Sequence, residues 1–120
     1  MGKIYTGYCA RVRDYPSNAL LVGVMRFPPE WWKSINAENL APSADLLRSY
    51  QSKQIDEYIF KQKFLEELRE RGLAADKVRE AFELITVDRD VILCCYERPT
   101  DFCHRHILAE WLGGNIDEFE

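Results

Sequence analysis

Hydrophobic positions in this chain form two kinds of run, and the two alternate along its length. Lys3-Ile4-Tyr5-Thr6-Gly7-Tyr8 is short, β-branched and aromatic, the composition of a strand, with Gly7 near its exit. Ala19-Leu20-Leu21-Val22-Gly23-Val24-Met25 has no polar alternation, which predicts a strand covered on both faces, as in a parallel sheet. Arg26 closes that run, and Phe27-Pro28-Pro29 stops pairing because proline has no N–H to donate. A third apolar strand is predicted over residues 90–95. Between the second and third runs the spacing changes. Ser43 is positioned to cap a helix through Leu46, Leu47 and Tyr50. Ile55, Ile59, Phe60, Phe64, Leu65 and Leu68 recur at helical spacing, with Gly72 as the stop. Val78, Phe82 and Ile85 mark a further helix from near Asp76, and a last helix runs from about Phe102 to Leu112, ended by Gly113-Gly114. Residues 9–15 read as a short crossover helix and Pro16-Ser17-Asn18 as a turn. Residues 30–42 read as a long irregular segment with a helical turn at Trp31-Trp32.

Strands, helices, then strand and helix again predict a small α/β fold. Its short, mostly parallel sheet would carry helices packed on it in two or three layers. Residues 1–114 form the expected single domain, and the acidic residues 115–120 an expected frayed tail. In open parallel sheets ligands bind beyond the carboxyl ends of the strands. Gly7–Cys9, Arg26–Pro29 and Cys95–Arg105 each follow a predicted strand, so parallel strands would bring the three segments to one rim.

Composition narrows the classes of function. With 120 residues, 47% of them apolar and 30% charged, the chain supports one cored domain and argues against disorder. The formal charge is −4, its acid excess concentrated in the second half. No basic stripe suits a nucleic-acid duplex, although Arg11, Arg13, Arg26, Arg98 and Arg105 could converge on one anion. No apolar stretch approaches the length of a membrane span, and residues 1–20 lack a signal-peptide apolar region. A cytoplasmic location is therefore expected. In that reducing compartment the four cysteines read as buried, reactive or metal-binding thiols rather than as a disulfide framework. Nothing in the sequence implies a cofactor or fixes an oligomeric state.

The chemistry concentrates near the C-terminus. Cys94-Cys95-Tyr96-Glu97 leaves the third strand, a turn-forming segment with Pro99 and Asp101 follows, and Cys103-His104-Arg105 opens the last helix. Unpaired N–H groups and the dipole at a helix N-terminus favour a bound anion or a thiolate. Arg105 could add a bidentate fork to a phosphate or carboxylate. Glu97 is placed to act as a base or to hold a hydroxyl, or else to pair with Arg98, Arg105 or Arg26. The bland alternative buries Cys103, packs His104 above Leu108 and leaves Arg105 solvated. Cys94, Cys95, Cys103 and His104 offer zinc-compatible donors, but the C-C-x7-C-H spacing lacks the paired knuckles of structural zinc, and adjacent strand residues point apart. The C-x5-R loop of cysteine phosphatases is absent, which leaves Cys95 or Cys103 as nucleophile of some other thiol enzyme. Trp31-Trp32, Phe27 and Pro28-Pro29 would line a pocket for a planar ring or, more simply, cover the sheet edge. His106 and Glu110 read as a surface pair on the last helix.

The stretch Leu93-Cys94-Cys95-Tyr96-Glu97-Arg98-Pro99-Thr100-Asp101-Phe102-Cys103-His104-Arg105, continuing to Leu112, closely resembles the signature of the family catalogued as domain of unknown function 488. That family has a C-x-E strand end followed by a Cys-His-Arg helix start. Ile4-Tyr5-Thr6-Gly7-Tyr8 is similar to its first strand, and Val24-Met25-Arg26 before Pro28-Pro29 to its second, where Gly23 stands in place of a usual acid. Leu40-Ala41-Pro42-Ser43 resembles a short, single-domain branch. The resemblance implies an α/β fold, no established activity, and Tyr5, Gly7, Tyr8, Arg26, Cys95, Glu97, Cys103, His104 and Arg105 as signature positions. Its C-x-E spacing implies that Cys95, rather than Cys94, faces the site.

Together these readings lead to a protein that binds a small anionic ligand, nucleotide-like or phosphate-bearing. Its charge would lie on the helix start at Cys103–Arg105, with help from Arg26. Tyr5, Gly7 and Tyr8 would flank the ligand, Glu97 would serve as base or hydroxyl holder, and Cys95, Cys103 and His104 are the candidate catalytic groups. The rival readings are a metal-binding protein using Cys95, Cys103 and His104, and a non-catalytic interaction module.

Overall fold

A computed structural model describes residues 2–96, 102–113 and 115–119. Its centre is a five-stranded sheet with every pairing parallel, which makes the domain α/β. The strands are β1 (Ile4–Tyr8), β2 (Leu20–Gly23), β3 (Ile35–Asn36), β4 (Val91–Cys95) and β5 (Asp117–Glu118), ordered β3-β2-β4-β1-β5. The helices are α1 (Ala44–Gln51), α2 (Glu57–Glu70), α3 (Ala75–Ile85) and α4 (His104–Leu112), with short 3-10 turns at Cys9–Asp14 and Glu38–Leu40. β4 is central and all five of its residues are buried, as its unbroken apolar sequence requires of a strand covered on both faces.

Local chemistry sets the helix ends. Ser43 Oγ accepts the Leu46 N–H at 3.1 Å to cap α1, and Asp56 accepts the Ile59 N–H at 2.8 Å to cap α2. Gly72 and Gly113 follow α2 and α4 in the left-handed region, each at φ 77°, where a Cβ would be strained. Phe60, Phe64 and Leu68 of α2 and Ile107, Leu108 and Leu112 of α4 bury themselves in the core shared with the sheet.

Two short strands depart from the sequence expectations. β3 lies inside the segment expected to be irregular and is held by only a two-residue register, Val22 opposite Ile35 and Gly23 opposite Asn36. The described part of the tail, residues 115–119, is not frayed. Asp117 and Glu118 pair with Tyr5 and Thr6, Phe119 N–H donates to the Thr6 carbonyl at 2.8 Å, and the Phe119 ring meets Tyr5 and Tyr15 edge-on at 4.9 and 5.2 Å. Backbone pairing and apolar burial outweigh the acidity of those residues.

Register and alternation assign each strand residue a face. Thr6, opposite Leu93, and Tyr8, opposite Cys95, share the face on which α4 packs. Gly7, opposite Cys94, lies on the other face, under Tyr15. A Cβ on Gly7 would stand 2.6 Å from Ile92 Cγ2 and 2.8 Å from Tyr15 Oη, so the residue is small to let Tyr15 close down. Tyr15 Oη then accepts the Tyr8 N–H at 2.8 Å and donates to the Tyr8 carbonyl at 3.1 Å.

Candidate functional site

Parallel pairing sends the carboxyl ends of β1, β2 and β4 to a common rim. α4 opens there, with Cys103 as its N-cap residue in extended backbone at φ −147° and ψ 143°. Alternation along β4 decides which of the adjacent thiols joins it. Cys95 projects onto the α4 face, its Sγ 3.5 Å from Nε2 and 3.7 Å from Nδ1 of His104. Cys103 Sγ lies 4.0 Å from His104 Nδ1. Cys94 turns to the opposite face, where its thiol donates to the Ile92 carbonyl at 3.5 Å.

His104 is held rather than loose. Its Nε2 contacts the backbone carbonyl of Val24, and since a carbonyl oxygen only accepts, that nitrogen carries the hydrogen. Nδ1 is then the ring atom available to the sulfurs. Phe64 packs edge-on against the ring, centroids 5.8 Å apart at 86°, which fixes its plane from the α2 side. Cys95, Cys103 and His104 are all buried and each offers one donor atom, all within 4.8 Å of one another. Two sulfurs and one nitrogen form a donor set that a soft ion such as zinc accepts, with one tetrahedral position left over.

The electrostatics separate the thiols. Burial alone would push the Cys103 thiol up, but hydrogen bonds from Cys95 and His104 and the charges of His104 and Arg105 outweigh it and hold this thiol below the ordinary range. At Cys94 the charge of Arg105 is the only such support, and it is outweighed. Burial, with nearby Cys9, pushes its thiol up to about 12. One member of the adjacent pair is thus part of the cluster around His104 and the other a core residue.

Arg105, the third member of the helix-opening triplet, lies elsewhere. Its side chain is 0% exposed and grips Glu118 of β5, Nη2 donating to Oε2 at 3.0 Å and Nε to Oε1 at 3.2 Å. Thr6 Oγ1 donates to Glu118 Oε1 at 2.6 Å, and His106 Nε2 approaches the same oxygen at 3.3 Å. Burial would raise the Glu118 carboxyl, yet these three partners bring it down to about 2. Burial would likewise lower the Arg105 guanidinium, but Glu118 and the nearby cysteines keep it firmly charged.

Arg26 has a different set of partners. Nε donates to the Pro42 carbonyl at 2.8 Å, Nη1 to Glu38 at 2.5 Å and Nη2 to the Ala41 carbonyl at 3.3 Å, tying the end of β2 to the chain that leads into α1. Strands β4 and β1 lie between β2 and the Glu118-bearing β5, on the order of 14 Å at the usual strand spacing. The structure therefore does not bring Arg26 and Arg105 onto one anion. Tyr5 sits at the second position of β1 against Phe119, short of the rim, and Gly7 serves the packing of Tyr15. Tyr8, the last residue of β1, does reach the rim. Glu97, with Arg98, lies outside the described residues. Trp32 is buried, its Nε1 donating to the Ile35 carbonyl at 3.0 Å, while Trp31 and Phe27 are exposed. His106 pairs with Glu118 rather than Glu110, which takes Lys61 at 2.7 Å.

Sequence reasoning missed two participants. The Val24 carbonyl is backbone and leaves no side-chain signal. Glu118 sat in a stretch whose acidity pointed to solvent, and only its pairing with β1 reveals it as the counter-charge of Arg105.

One family model, described as the active DUF488-N3 subclade, matches residues 8–115 of the chain. No curated protein and no solved structure matches it.

Proposed function

The chain belongs to the family catalogued as domain of unknown function 488, and from that membership and the geometry at the head of α4 we propose that it is a thiol-dependent catalyst acting on a small ligand at the carboxyl rim of the sheet. Cys103 is the nucleophile in this reading, His104 its proton acceptor and Cys95 a supporting thiol. The observation that carries it is the chain Cys103 Sγ, His104 Nδ1, His104 Nε2, Val24 carbonyl. A nucleophile and a base stand within reach, and a third group fixes the base's tautomer. In the bond-forming step the Cys103 sulfur joins an electrophilic atom of the ligand, its proton having passed to His104 Nδ1, from which it can return to the departing group. The word active in the family description is said of the subclade and accords with a reacting side chain.

An anionic group on the ligand is favoured by the positive end of the α4 dipole, which begins after Cys103. Arginine forks contribute less than the sequence led us to expect, because Arg26 anchors the 38–42 segment and Arg105 faces Glu118. Alkylation separates these ideas. In the folded protein, mapped by peptide mass spectrometry, Cys103 should react before Cys9 and Cys94. Iodoacetate should gain on neutral iodoacetamide there relative to free cysteine, and His104→Gln should slow both reagents. Labelling of Cys103 no faster than Cys94, or only in denaturant, would overturn the thiol reading. Equal relative rates for the two reagents would remove the anion preference alone.

A further inference from the structure

We propose that Cys95 and Cys103 form a reversible dithiol–disulfide pair, in which Cys103 attacks a low-molecular-weight disulfide and Cys95 resolves the product. The inference rests on the reading of Cys103 as the reactive thiol and assigns Cys95 a role that nucleophilic catalysis by Cys103 does not require.

Geometry supports the pairing. The two sulfurs and one His104 ring nitrogen fall within 4.8 Å of one another, and both sulfurs are within hydrogen-bonding reach of the same ring. A disulfide needs the sulfurs at about 2.05 Å, and a rotation between staggered χ1 positions moves a cysteine sulfur by on the order of 3 Å. Closure therefore asks for side-chain rotation with little backbone change. The remaining thiols are excluded by position: Cys94 points to the other face and Cys9 lies in the 3-10 turn after β1.

The exchange balances without further reagents. The Cys103 thiolate attacks one sulfur of R–S–S–R, that S–S bond breaks, and one R–S⁻ departs with the proton that His104 had taken from Cys103, leaving a mixed disulfide on Cys103 and a neutral His104. Cys95 then gives its proton to His104, and its sulfur attacks the Cys103 sulfur. The second R–S⁻ departs and collects that proton. Two cysteine thiols are oxidised and one external disulfide is reduced to two thiols. The outcome masks the nucleophile, and an added dithiol restores it.

The test uses the full chain with bis(2-hydroxyethyl) disulfide. Wild type should end about 2 Da lighter with Cys95 and Cys103 linked in one disulfide-bonded peptide, and dithiothreitol should restore both thiols. Cys95→Ser should stall as a mixed disulfide on Cys103, and Cys103→Ser should leave Cys95 unmodified. A wild-type mixed disulfide on Cys103 that persists, or a disulfide joining any other pair, overturns the resolving role while leaving the nucleophile intact. Absence of any reaction at Cys103, together with failed alkylation, overturns both readings. Should either serine variant melt at a markedly lower temperature, the wild-type peptide map decides on its own.

Discussion

Replacing Glu118 with glutamine tests how strongly the last strand is held. The substitution keeps an acceptor for Thr6 but removes the charge that faces a fully buried guanidinium. Two routes give its magnitude. Holding the carboxyl at about 2 instead of 4.5 corresponds to about 3 kcal/mol, and the carboxylate is only 18% exposed, so solvent screening reduces this little. Breaking one half of a buried ion pair costs about 3–5 kcal/mol in comparable cases. At pH 7 Glu118→Gln should therefore lose about 3 kcal/mol, on the order of 10 °C in melting temperature for a chain of this size. The pH dependence follows from the direction. A depressed carboxyl stabilises above its unfolded value and loses that contribution as pH falls through its folded value. The gap between wild type and variant should stay full above about pH 5.5, halve near pH 3 and vanish below about 2. Urea unfolding of both proteins at pH 7, 5 and 3 measures it, with the m-value checking that the unfolded states match. A gap under about 0.5 kcal/mol at pH 7, or one that does not shrink with acid, would refute the view that Glu118 neutralises Arg105.

Four further outcomes follow from the same contacts. Gly7→Ala places a methyl against Ile92 and Tyr15 and should cost about 1–3 kcal/mol in denaturant unfolding, with the Cys103 alkylation rate unchanged. Arg26→Ala releases Glu38 and two carbonyls and should cost about 1–2 kcal/mol, with faster amide exchange over residues 38–42. It should leave Cys103 reactivity alone, which a shared arginine clamp would not. Ser43→Ala removes the α1 cap and a 2.5 Å contact to Glu67, so about 1 kcal/mol should be lost in thermal unfolding. Because its thiol is held low, Cys103 alkylation in wild type should persist at pH values where an ordinary thiol slows tenfold per unit. His104→Gln should move the inflection upward, and an unchanged profile would show that His104 does not support the thiolate.

Much of the fold was legible because its strongest signals are one-dimensional. β4 is apolar at every position, so a both-faces-covered strand was the only economical reading, and parallel pairing followed with it. Ser43, Gly72 and Gly113 mark helix ends through side-chain or backbone chemistry confined to a few residues. β3 and β5 carry no such signal. Each is two residues long, too short for alternation to register, and exists because a longer neighbour offers an edge. Acidity in the tail misled for a related reason. Propensity describes a segment in water, whereas Asp117 and Glu118 pair with a strand more than a hundred residues earlier.

The site divides along the same line. That only one of Cys94 and Cys95 meets His104 follows from the period of two along β4, a rule that operates within a single strand; which one did not follow from it, and the C-x-E spacing of the family pointed to Cys95, where the structure has it. Where the arginines go is not a local matter. Arg26 and Arg105 both follow or open elements at the rim, and a reading by position alone makes them partners. Each is in fact claimed by a carboxylate from a segment that gave no sign of approaching it, Glu38 for one and Glu118 for the other. A buried guanidinium must be neutralised from within the fold, and the nearest carboxylate in space need not be near in sequence. Arg105 therefore acts on the thiol cluster from beneath, through its field on Cys103, with its own fork facing inward to the last strand. The positive charge at the head of α4 is in this way already balanced by Glu118. A thiolate at Cys103 draws on that charge without taking Arg105 from its carboxylate, which an anion clamped by the Arg105 fork would have to do.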